Sequence, residues 1–143
     1  SALVGRDELK KDAASVFYTG SYWYQAVPMA AGLACLGELE RVDAPRMMQD
    51  YGRRLTDGMK RLAGQHGHDL KVTGVPSMPF LRLTDDRGIM LHQRFCAECT
   101  RRGAYFTSHH NWFMSCAHTE EDLERTLAIV DDAFAALEQG AGA

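Results

Sequence analysis

Residues 103–122 restrict the possible folds of this chain more than any other stretch. They read Gly-Ala-Tyr-Phe-Thr-Ser-His-His-Asn-Trp-Phe-Met-Ser-Cys-Ala-His-Thr-Glu-Glu-Asp. Ala104, Tyr105 and Phe106 form a short strand pattern, residues 113–116 a second, and an aromatic, histidine-rich loop lies between them. A helix should start at Thr119, a favoured N-cap. Asp122, three positions later, completes a capping box with Asp in the usual Glu place. His109, His110, Asn111 and Trp112 are costly to bury without partners, so crowding them between two strands and a capped helix points to the wall of a pocket.

The helix opened by Thr119 continues with Leu123, Leu127, Val130, Phe134 and Leu137 on one face. Upstream, residues 89–102 carry Leu91, Phe95 and Cys99 on a helical face, and Gly103 is placed to end that helix. Residues 70–74 and 78–83 alternate as strands do, joined by Val75-Pro76-Ser77. Before them, Asp43 or Ala44 opens a helix with Pro45 at its first position and Met47, Met48, Tyr51, Leu55, Met59 and Leu62 at helical spacing. Residues 28–39 are apolar on nearly every side, which predicts a helix buried all round. The reading is an α+β fold, with a helical N-terminal segment (residues 1–64) followed by an α+β unit (residues 65–143) of three or four strands covered by helices.

At 143 residues the chain can bury about two thirds of its unfolded surface. The net charge of -3, with both signs interleaved, offers no basic stripe for nucleic acid. No apolar run approaches the ~20 residues of a membrane span, and no signal-peptide pattern is seen. Cys35, Cys96, Cys99 and Cys116 lie in apolar or helical segments, as expected of reduced thiols in a cytoplasmic protein. The opening residues 1–6, without Met and in the manner of a strand's end, are those expected of an excised portion of a longer chain.

Three groups carry candidate chemistry. Thr19, Gly20 and Ser21 precede the apolar helix, where small hydroxyl residues and backbone amides can hold an anion such as phosphate; the alternative is a turn packed by aromatics. His109, His110 and Asn111 can contact a substrate or simply pack. Adjacent histidines on a strand point to opposite sides, which argues against a shared metal, and no metal site is expected. His92 with the Cys96–Cys99 pair evokes zinc or redox chemistry, but a lone pair inside a helical pattern is better read as one turn of apolar thiols. His118 reads as a structural histidine beside a helix start.

The apolar helix with its preceding loop, and the Ser-x-Ala-His-Thr-Glu-Glu-Asp run at residues 115–122, together resemble the C-terminal portion of fold-type I, class III pyridoxal-phosphate aminotransferases. The glutamate-1-semialdehyde aminomutase branch is the nearest within that family. The resemblance implies the small C-terminal domain of such an enzyme over residues 65–143, and the end of its large domain with interdomain helices over residues 1–64. It also implies a homodimer, a missing N-terminal large domain that covers the apolar helix, and small-molecule amine and keto substrates. Ser21, with Gly20 and with Thr19 if the loop is shifted, would reach across the dimer interface to the cofactor phosphate of the partner subunit. A glutamate stands at the position of His110 in the aminomutase branch, and this departure favours a transaminase over an aminomutase; a non-catalytic α+β interaction domain is the other alternative. The Schiff-base lysine and the aspartate that holds the pyridine nitrogen lie upstream in this family. Lys10, Lys11, Lys60 and Lys71 sit in polar contexts unlike a strand end facing a pocket, so no catalytic residue is assigned and the chain is expected to be inactive alone.

Overall fold

The computed structural model describes residues 4–16, 20–21, 25–85 and 88–139, and forms two compact units, Ser1–Glu38 and Leu39–Ala143. In the first unit a 3-10 turn, Asp7–Leu9, runs into α1 (Lys10–Ser15), and neither buries a residue. Helix α2 (Ala26–Arg41) begins in the first unit and passes into the second. Pro28 falls in its first turn, where the missing N–H costs nothing.

The helix expected to be buried all round finds no cover within this chain: α2 buries no residue, and Val27, Leu33 and Leu36 are 80%, 73% and 64% exposed. An apolar pattern states only that a surface seeks cover, and nothing among the described residues supplies it here.

The second unit holds the core. Helix α3 (Ala44–Gln65) carries Pro45 in its first turn, with Asp43 ahead of it in the left-handed region, φ 49°. Its apolar stripe behaves as the spacing predicts: Leu55, Met59 and Leu62 are buried, while Met47 at the first turn stays exposed. Strands β1 (Leu70–Val75) and β2 (Met78–Leu83) pair antiparallel, Leu70 opposite Leu83 and Val75 opposite Met78, about a two-residue turn at Pro76 and Ser77. Helix α3 approaches that turn so closely that a Cβ on Gly52 would lie 1.8 Å from the Pro76 carbonyl oxygen.

Helix α4 (Met90–Arg101) ends in a Schellman motif. Gly103, φ 105°, donates its N–H to Thr100 O (3.1 Å), and Ala104 donates to Cys99 O (3.0 Å). The last helix, α5 (Glu120–Gln139), opens on the expected capping box: the Asp122 N–H donates to Thr119 Oγ1 (3.2 Å), and the Thr119 N–H donates to Asp122 Oδ2 (2.8 Å). Phe134 of α5 and Phe95 of α4, both fully buried, stack at 4.5 Å in the centre of the core.

The sheet is smaller than expected. Among the described residues it has two strands rather than three or four, and residues 104–106 and 113–116 are not strands. The chain nonetheless runs beside β2, with the Trp112 N–H donating to Pro79 O (2.9 Å) and the Met114 N–H to Ser77 O (2.9 Å). An antiparallel bridge needs the bond returned, and Pro79 has no N–H to return it. Ser77 lies in the turn. The third strand is therefore half made.

Candidate functional site

The walls of the site come from three places in the second unit: α3, the two arms of the loop between α4 and α5, and the first turns of α5. They enclose an open cavity of about 480 Å³. Helix α3 supplies Tyr51 and Leu55, respectively two turns and one turn N-terminal to the buried Met59 on the same face. The loop arms supply residues 105–107 and 111–114, and α5 supplies Asp122 and Thr126.

Aromatic packing sets the shape of the loop. Phe106 and Trp112 stack nearly parallel (8°) at 4.0 Å, and the Trp112 indole N–H donates to Thr107 O (2.9 Å). Thr107 Oγ1 in turn donates to His110 O (3.3 Å), closing the hairpin-like bend. Of the expected substrate residues, Asn111 lines the cavity, whereas His109 and His110 do not. Both histidines are exposed. The His109 ring lies between Ser108 Oγ, 2.7 Å from Nδ1, and the Gln93 side-chain amide, which donates to Nε2 at 3.3 Å. His110 turns back to donate from Nδ1 to the Asn111 carbonyl (3.1 Å) and tilts against Phe113.

Sequence reasoning passed over Tyr51, His118 and Asp122 as site residues, taking them for a core position, a structural histidine and a cap. The structure brings the three together. Tyr51 and His118 stack at 5.2 Å, and His118 Nδ1 accepts the Ser115 N–H (3.2 Å), which leaves the proton of the neutral ring on Nε2. The Asp122 carboxyl is held below its usual range by the Thr119 backbone N–H, then by the Thr119 hydroxyl. Burial pushes the Tyr51 phenol up, as do Asp122 and then Glu120, against the opposing charge of Arg54. Arg54 and Glu120 form a two-point ion pair between α3 and α5, one contact at 2.8 Å. The carboxylate three residues into a capped helix was the one sequence signal that could have marked this wall.

Ser21 and Gly20 lie exposed, Ser21 in a turn ahead of α2; Thr19 lies outside the described residues. They belong to the first unit and Asn111 to the second. Small residues and an accessible hydroxyl fit an anion contact. All four lysines, Lys10, Lys11, Lys60 and Lys71, are exposed, and none lines the cavity. In α4, burial pushes the Cys96 thiol up to about 12 and raises that of Cys99 as well, so neither is a thiolate ready for redox or metal chemistry. Among the described residues no group of three or more His, Cys, Asp or Glu side chains could hold a metal ion, and no helix is long and apolar enough to cross a membrane.

No family model matches the chain. It is 35% identical over 137 residues, 96% of its length, to an aminopentol aminotransferase of Sphingopyxis macrogoltabida, covering 32% of that protein. To glutamate-1-semialdehyde 2,1-aminomutase it is 32% identical in Thermus thermophilus and 30% in Pyrobaculum neutrophilum, covering 35% and 33% of those proteins. The fold superposes on the PLP internal aldimine form of the Sphingopyxis sp. MTA144 FumI protein with a TM-score of 0.87 and 32% identity, over 98% of this chain and 34% of that one. A transaminase with PLP bound matches at a TM-score of 0.77 and 18% identity over 90% of this chain and 31% of that one, a likeness of fold alone. The chain spans about a third of the length of the curated relatives it matches. Sequence, fold and coverage together fit a C-terminal portion of a class III, fold-type I pyridoxal-phosphate-dependent aminotransferase.

Proposed function

We propose that this chain completes a pyridoxal-phosphate-dependent aminotransferase that moves an amino group between an amine and a keto acid or aldehyde. The observation that carries the reading is the 35% identity to an aminopentol aminotransferase along 96% of the chain. That relative's name supports an amine borne on a carbon chain as the donor. A cytoplasmic homodimer is the proposed setting, with residues 1–64 ending the large domain and residues 65–143 forming the small one.

When bound, the coenzyme supplies the electron sink for the reaction. This chain's own part is to bind and to shape. Ser21 and Gly20, with Thr19 beside them, offer a hydroxyl and unobstructed backbone to the phosphate, and the α2 surface is covered by the large domain and the second subunit. Asn111, on the cavity wall, presents an amide to the substrate, with His109 and His110 at the outer edge. No lysine of the chain is placed to form the Schiff base, so the chain alone does not turn over.

Two measurements test this. The 143-residue chain mixed with pyridoxal phosphate should give no stoichiometric, borohydride-trappable lysine adduct; such an adduct on Lys10, Lys11, Lys60 or Lys71 would overturn the reading. Joined to its large domain, the protein should need an added keto acid or aldehyde acceptor for turnover. Acceptor-independent isomerisation of a semialdehyde would instead establish the aminomutase reading, which the 30–32% identities to those enzymes support.

A further inference from the structure

The cavity has a chemistry of its own that the transfer of an amino group does not require. Five aromatic side chains line it: Tyr51, Tyr105, Phe106, Trp112 and Phe113. Asp122 is the one formally charged residue among the lining residues, and no Lys or Arg is among them. His118, also on the wall, accepts the Ser115 N–H at Nδ1 and stacks on Tyr51.

We propose that this cavity is a site for a small organic cation, a primary or quaternary ammonium carried on a short apolar body. Aromatic faces attract cations through the ring quadrupole, most strongly where water is excluded, and a carboxylate beside them sets the sign of the site. Asp122 stays ionised because Thr119 donates twice to its Oδ2, from the backbone N–H and the hydroxyl, both at 2.8 Å. Arg54, the guanidinium that acts on the Tyr51 phenol, is itself paired with Glu120. At the Tyr51 phenol the two carboxylates outweigh Arg54, so the wall is electronegative as well as aromatic. Anions meet Asp122 and are repelled; a neutral apolar molecule gains the rings but not the charge. At about 480 Å³ the cavity falls in the range of small-molecule sites, roughly 300–1,000 Å³. Tyr105 and Phe113, 79% and 59% exposed, stand at its rim, where ligand binding would cover them.

Tetramethylammonium is the decisive probe, because it can neither form a Schiff base nor donate an amino group. Its success or failure therefore leaves the aminotransferase reading untouched. The 143-residue chain, without coenzyme, is titrated at constant ionic strength while the Trp112 indole and Asn111 amide resonances are followed by NMR. Saturable shifts are expected for tetramethylammonium and for n-butylamine, with affinity about tenfold above that of tert-butanol and n-butanol, the order of a partly desolvated cation–aromatic contact. Asp122→Asn keeps an acceptor for the Thr119 N–H, and with it the helix start. It should remove the preference for the cation while the circular dichroism spectrum is unchanged. Tyr51→Leu should weaken the cations more than the alcohols. Equal affinity for butanol and butylamine on the unsubstituted chain, or shifts that never saturate, would overturn the proposal. So would an unaltered cation preference in a folded Asp122→Asn variant.

Discussion

Helices α2 and α3 lie almost end to end in sequence, yet they stand in opposite relations to the rest of the chain. Helix α2 is apolar on nearly every side until its last turns and buries nothing, whereas α3 has a charged face and buries Leu55, Met59 and Leu62. A richness in apolar residues is thus a poor guide to which helix holds a fold together. What matters is whether an apolar stripe meets a complementary one: α3 meets α5 and the hairpin, while α2 meets none among the described residues. The second unit should accordingly behave as a cooperative domain, and the first should tolerate changes that would ruin the second.

The largest effect that can break this comparison is at Phe134. It is fully buried, stacks on Phe95 at 4.5 Å, and also lies against the rings of His66 and His68. Phe134→Ala should cost about 3–5 kcal/mol, enough to unfold a domain of ordinary stability. Leu33→Ala in α2, at a position 73% exposed, should change unfolding of the second unit by less than about 0.5 kcal/mol. Chemical denaturation followed by circular dichroism measures both. Similar losses for the two variants would mean that α2 is as much a part of the core as α5.

Glycines sharpen the contrast. A Cβ on Gly52 would stand 1.8 Å from the Pro76 carbonyl oxygen and 2.5 Å from its carbon, both backbone atoms that cannot swing aside. One on Gly32 meets nothing within 4 Å. Gly52→Ala should destabilise by about 1–3 kcal/mol, the clash outweighing the gain in helix propensity. Gly32→Ala should show only that gain, about 0.5–1 kcal/mol in helix stability. Thermal melts of the two variants moving in the same direction would contradict the exposure of α2.

The glycine pair also marks what could and could not be read from the residues alone. The α3 stripe, the β1–β2 hairpin and the Thr119–Asp122 box are local: each is specified by spacings of two to four residues, and each forms as expected. The need for glycine at position 52 is tertiary, since it depends on where the turn at Pro76 comes to rest. The same holds for the missing strands, because the partner that fails residue 112 is a proline 33 positions earlier, at residue 79. Asn111 was placed on a pocket wall by its company of aromatics. Tyr51, His118 and Asp122 were not, because helix face, loop and helix cap meet only once α3 packs on α5.

A smaller loss is expected at the start of α5. Thr119 accepts the Asp122 N–H and orients the Asp122 carboxylate, so Thr119→Ala should cost about 1 kcal/mol, while Thr119→Ser should restore most of it. No such cap residue precedes α1, where Leu9 makes no side-chain hydrogen bond, and truncating it should leave unfolding of the second unit unchanged. Denaturant midpoints for the three variants decide the point.

The smallest effect expected is a pH dependence, and it too belongs to the second unit alone. His66, the C-cap of α3, has Nδ1 2.8 Å from Glu138 and Nε2 2.8 Å from Asp131, so both ring nitrogens face carboxylates and both must carry protons to satisfy them. Its pKa is raised, first by the Asp131 hydrogen bond and then by that of Glu138. A raised folded-state value means that the contribution is complete below the unfolded pKa of about 6.5 and is lost as pH climbs through the higher folded value. Glu98 and Asp122 act in the opposite sense, held low by Arg101 with Arg102 and by Thr119, so their contributions are present above about pH 4 and lost on acidification. The melting temperature should therefore be highest between about pH 5 and 6.5 and decline on both sides. His66→Gln should flatten the decline toward alkaline pH while leaving the acid limb in place. An alkaline limb that survives the substitution would show that the α3–α5 contact does not depend on the charge of this imidazole.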